Sequence, residues 1–482
     1  MLSTETGSSA QSTQMDEKGP KLWVAMLLTA MAGGLGWGIR GQYGHETGAM
    51  VPGVLVALTL ALLFCPTLRS LYVARAVALM TVGISFGGSM TYGQTVGLTH
   101  DGPLIGDSGA LTWGMLGLFL KGGIWIGFAG LFLGMSLSAK TYRPVEWGLL
   151  LGVTVLLVMI GREWLNEPFH PEKRELPWLY FSDHWRWEPE SVLKPRREGW
   201  GGLLLALLGL MLYAGWCRKD VLARRMALWG MLGGGMGFTL GQAVQAFHAW
   251  NATSVNATLG WLAQHMNWWN MMETSFGMIF GAILALGLWR NRGLIAGDQD
   301  CPVEISGEAE WFLVFIHALV LASGMFGWIA ALERWEGMTL TMGLLPVVAI
   351  SAGRWWPYVL PFFLVCLPIA TKTMIAMIDR SWPWIWLPIM VYFVLPLALT
   401  LVLTLWQSRR ATSWTGGQFA RVTLFSVVWL YMGLNWAFFD FPWPWVLPWT
   451  GRTPNAVIFT VCAVGLTLAC LFVGRSKTTV AG

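Results

Sequence analysis

Charge is scarce in this chain. Asp, Glu, Lys and Arg make up 12% of its 482 residues, and 55% are hydrophobic. Soluble domains carry about 25% charged residues, so a single soluble domain is excluded. Cysteine is sparse and unpaired in pattern. Cys65, Cys217, Cys301, Cys366, Cys462 and Cys470 form no CxxC, which argues against a disulfide framework or a cysteine metal site. No H-E-x-x-H or H-x-x-x-H occurs, nor a nucleotide-binding glycine loop, nor G-x-S-x-G. Serine-elbow acyl transfer therefore has no support, and no metal or cofactor is expected. The net charge of +5 is small and sits in short loops, which is not a nucleic-acid footprint. Residues 1–21 lack the basic-then-apolar order of a cleaved signal peptide and read as a disordered cytoplasmic tail.

What the chain has is apolar length. A membrane span needs about 20 predominantly apolar residues, and windows of that kind recur from Leu22 to Val473. The expected fold is an all-α polytopic membrane protein of about fourteen spans. The window at 338–353 is short. Arg69, Arg75, Lys140, Arg143, Arg218, Lys219, Arg224, Arg225, Arg290, Arg292, Arg409, Arg410, Arg475 and Lys477 fall on one side of this succession. By the bias of Lys and Arg toward cytoplasmic loops, that side and both termini are inside. The longest loop, 162–199, lies opposite. A bacterial inner (plasma) membrane fits this reading. The 32 tryptophans suit interfacial belts.

One pattern occurs twice. Thr91-Tyr92-Gly93-Gln94-Thr95-Val96 ends at His100, and Thr239-Leu240-Gly241-Gln242-Ala243-Val244 ends at His248, both as T-x-G-Q-x-V-x-x-x-H. Each copy is preceded by A-R-x-x-A-L, from Ala74 and from Ala223. Shared polar residues at one spacing indicate an internal duplication. Its halves, 22–139 and 145–290, would be parallel four-helix repeats, spans one to four and five to eight. Residues 309–474 carry no copy and read as a separate six-helix bundle.

Ionisable groups in spans point to function. The first span ends in Arg40-Gly41-Gln42-Tyr43-Gly44-His45-Glu46, a glycine-weakened turn loaded with polar groups. Arg40 and Arg162 suit a carboxylate or phosphate. Gln42, Tyr43, Gln94, Gln242 and Asn270 offer hydroxyl and amide hydrogen bonds. His45, Glu46, His100, Asp101, His248 and Glu273 are the candidates for proton coupling or acid–base work. The blander account of the glutamines is interhelical hydrogen bonding, and of Glu273 a carboxylate complementing a helix dipole.

Together these residues suggest a transporter of a small polar or anionic solute, sugar-like ones included, with proton coupling as a further expectation. Its partners are then a small-molecule substrate and membrane lipids, with no nucleic acid. The alternatives are a membrane-embedded enzyme acting at the outer leaflet on a lipid-linked or glycan substrate, and a structural subunit of a membrane complex. Apolar inner halves of the spans weigh toward the enzyme.

Overall fold

The computed structural model describes residues 19–41, 43–183, 195–297, 301–328, 344, 346–380, 384–440 and 450–473. Within them the chain forms helices and no strand. Twelve helices are long and apolar enough to cross a membrane. They are α1 (Leu22–Ile39), α2 (His45–Phe64), α3 (Ser70–Gly87), α5 (Ser108–Leu137), α6 (Pro144–Leu165), α7 (Trp200–Cys217), α10 (Trp268–Arg290), α11 (Gly307–Phe326), α12 (Trp356–Asp379), α13 (Trp386–Ser408), α14 (Gly416–Phe439) and α15 (Thr453–Phe472). Between them lie α4 (Gly93–His100), the 30-residue α8 (Val221–Trp250) and α9 (Ala252–His265). Gln42, His184, Trp185, Trp187 and Trp382 fall outside the described residues, as do 338–343 and 345 of the 338–353 window.

Glycine decides which helices meet closely. Among apolar helices, burial alone gives little preference for one partner, so close van der Waals contact decides. On the α1–α10 seam a side chain at Gly33 would lie 2.1 Å from the Gly277 carbonyl oxygen. On the α5–α8 seam a side chain at Gly234 would lie 1.9 Å from the Gly122 carbonyl oxygen. Only hydrogen fits at either point, so these backbones touch directly. Helix α8 is anchored by Asp220, which accepts from Ala223 N at 2.9 Å and from the hydroxyls of Ser138 (2.6 Å) and Tyr142 (2.8 Å).

The two copies of the Gln motif adopt different local structure. After α3 the helix breaks from Gly88 to Tyr92, and Gln94 lies on the short α4. Gln242 lies inside the uninterrupted α8. Gln242 donates to Thr99 Oγ1 at 2.7 Å, tying α8 to α4. Gln94 donates to Thr91 Oγ1 at 3.1 Å.

Helices of the segment 309–474 pack directly on the N-terminal ones. Gly416 N donates to Leu68 O at 2.6 Å, and Asn435 donates to the carbonyl oxygen of Ile39 and to Tyr43 OH (3.2 Å). Asn267 N donates to Asn455 Oδ1 at 2.9 Å. The bundle thus has two distinct ends. One gathers Arg40, Gly44, Tyr92, Asn267 and Arg452. The other gathers the basic loops around Arg69, Lys140 and Arg218.

Candidate functional site

The site lies at the first of these ends and starts from a turn. Helix α1 stops at Ile39, and Gly44 takes φ +94, a conformation that glycine adopts freely. The chain reverses there and sets Arg40 beside His45, the first residue of α2. Opposite, Asn267 caps α10 by accepting from Asn270 N at 2.9 Å. That cap places Asn270 and Glu273 three residues apart on one face. Asn270 Nδ2 donates to the Gly38 carbonyl oxygen at 2.6 Å, satisfying an acceptor that the end of α1 leaves free.

Arg40 and Glu273 meet across this junction at 3.4 Å, each side chain only 4% exposed. Tyr92, delivered by the break before α4, accepts a hydrogen bond from Arg40 and donates to Glu273 Oε1 at 3.3 Å. Beneath the pair lie aromatic faces. The guanidinium carbon is 4.8 Å from the Trp37 ring and 5.5 Å from that of Trp125, within cation–π range. Trp37 packs edge-on against Trp125, Phe276 and Phe280. This aromatic layer backs the Arg40 guanidinium.

Beside the pair is a cavity of ≈ 520 Å³ lined by Arg40, His45, Tyr92, Trp269, Asn270 and Glu273, with Asn267, Phe439, Arg452, Gly41 and Gly44. Two arginines face one carboxylate, a net of +1 with His45 neutral. Three polar atoms around it are buried without a protein partner: Arg40 Nε, His45 Nδ1 and Asn270 Oδ1. Leaving such atoms unmet costs about 1–3 kcal/mol each. The arrangement therefore offers donors and positive charge to a small ligand with acceptor oxygens.

Of the residues expected from sequence, the structure brings Arg40, His45, Asn270 and Glu273 together here. Tyr43 turns away, 1% exposed, to meet Asn435 and Phe438. Glu46 sits in the first turn of α2, where a carboxylate complements the dipole, and does not line the cavity. His100 pairs with Asp101 at 3.7 Å and lies beside Trp269, ring centroids 6.1 Å apart, at the rim. His248 stacks on Trp268 at 4.2 Å. Arg162 lines a different groove, with Glu163, Trp164 and Arg197. Gln94 and Gln242 serve the hydrogen bonds already described. Among the described residues no group of three or more His, Cys, Asp or Glu could hold a metal.

Sequence reasoning missed Tyr92, Trp269 and Arg452. It also missed a second buried ion pair. Lys121 Nζ lies 2.5 Å from Glu198 Oε1, both side chains 0% exposed. Lys121 also donates to Thr95 Oγ1 at 2.8 Å and Thr91 O at 2.9 Å, and Glu198 accepts from Phe181 N at 3.0 Å. The pair fastens the long loop to α5 and α4. Burial pushes the Tyr180 hydroxyl up to about 12, so it keeps its proton and donates to Arg196 O at 2.9 Å in the same loop. A lysine in the middle of an apolar helix was the legible signal for this pair.

No family model matches this sequence, and no curated protein and no solved structure matches it either.

Proposed function

We propose that the chain is a membrane carrier for a small anionic solute, carboxylate- or phosphate-bearing. The observation that carries this reading is the set of buried, unpartnered polar atoms around a half-satisfied Arg40–Glu273 pair. Ionisable groups inside membrane helices mark substrate and ion pathways. Arg40 and Arg452 would take the acceptor oxygens, Asn270 would orient the solute, and His45 and Glu273 are the groups available for proton coupling. The Lys/Arg bias of the loops at the opposite end supports a cytoplasmic position for that end, with the cavity facing outward. Movement along the two glycine seams would open the other side.

A second reading is favoured by the aromatic layer behind Arg40. Trp37 packs there against Trp125, Phe276 and Phe280, an apolar backing that suits a membrane enzyme served from one leaflet, with His45 or Glu273 as acid or base. Counterflow in proteoliposomes with labelled organic acids and sugar phosphates tests both. Flux of an unaltered solute supports the carrier. A chemically altered solute without flux would replace it with the enzyme.

A further inference from the structure

The basic end of the bundle holds a second cavity, of ≈ 360 Å³, between the start of α3, the α5–α6 turn and residues 301–304. Arg75, Lys140 and Arg143 line it against one carboxylate, Glu304, so three cations less one anion leave +2. Two of its lining atoms are buried and unpartnered, Tyr72 OH and Arg75 Nε, and Tyr72 is only 6% exposed. The wall is fixed in place. Arg75 Nη2 donates to Pro302 O and Gly353 O, both at 2.8 Å. Tyr142 OH reaches Asp220 at 2.8 Å, and Arg218 donates to Thr141 O at 2.6 Å.

The inner wall is apolar and ends at Trp147. Trp147 is itself buried, closing the chamber against the core with Phe132, Leu150, Leu210 and Val347. On its outer side the chamber adjoins the exposed apolar face of α6, where Val145 is 75% and Leu149 69% exposed. Free phosphate would use the chamber only. A phospholipid uses both, with its phosphate at the loops and an acyl chain along Val145 and Leu149 of α6.

We propose that this is a binding site for an anionic phospholipid. Basic pockets between spans near the cytoplasmic face are suited to such headgroups. The phosphate is received by Arg75 Nε, Tyr72 OH and Lys140, and Arg143 meets the acidic headgroup at the mouth.

The test is native mass spectrometry of the full chain in detergent, offered phosphatidylglycerol and phosphatidylcholine together, with and without excess inorganic phosphate. The expected result is one phosphatidylglycerol retained in preference to phosphatidylcholine, undisturbed by phosphate. Lys140→Gln with Arg143→Gln, both exposed positions, should cut the preference by about 30-fold, the usual worth of two cations near an anionic headgroup. Tyr72→Phe, which removes only the hydroxyl, should weaken retention in the same direction. Equal retention by wild type and both variants would overturn the proposal. So would displacement of the lipid by inorganic phosphate, which would assign the site to the free ion.

Discussion

Arg40 and Glu273 have given up water almost completely, at a cost of several kcal/mol per ion. Their single 3.4 Å contact does not use all the donors of the guanidinium. Glu273→Gln should therefore destabilise the protein by about 3–5 kcal/mol, because it leaves Arg40 buried without its counter-ion. Arg40→Met with Glu273→Leu should recover most of that loss while solute handling stays abolished; thermal melts and counterflow on the same preparations separate the two. Gln242 has a different role. It is fully buried and bonded to Thr99, so Gln242→Leu should cost about 1 kcal/mol in a melt and leave flux near wild type. Arg40, His45, Asn270 and Glu273 were legible in the sequence because polar groups stand out in apolar helices. Tyr92 was not, since its role depends on where a helix breaks. Nor was Arg452, which arrives from a turn far along the chain.

At the scale of elements, the seams are the controlling feature. Gly234→Val should separate α5 from α8, because the new side chain would meet the Gly122 backbone. A melt should fall by about 1–3 kcal/mol, the usual cost of overpacking. Gly148→Ala, on α6 with open space around it, should leave the melt unchanged. Glycine-rich sequence announced close helix approach but not which pairs would meet. That choice depends on matching surfaces across helices distant in the chain. The break at Gly88–Tyr92 was equally hidden. The Thr99–Gln242 and Lys121–Thr91 bonds that hold α4 across the break are tertiary.

For the whole molecule, membrane residence follows from the twelve apolar helices among the described residues, and composition already required it. The composition of 309–474 said nothing of docking, whereas α14 and α15 complete the cavity through Phe439 and Arg452. Orientation rests on the basic loops. In a cysteine-free background, a cysteine at Trp178, which is 92% exposed, should react with an impermeant maleimide from outside, and one at Gly297 should not. The reverse pattern would place the cavity in the cytoplasm. Ser182, in the same loop, is fully buried and would not report.

The central claim is that a small anion occupies the space between Arg40, Arg452 and Glu273. Thermal stability of the purified full chain, titrated with a panel of organic acids and phosphates, tests it most directly. Binding to the folded state alone should raise stability with concentration, by about 2.7 kcal/mol at a hundredfold excess over the dissociation constant. The account predicts such a rise for at least one member of the panel, and its loss in the Arg40→Met, Glu273→Leu variant. No rise with any anion, or an equal rise in that variant, would contradict it.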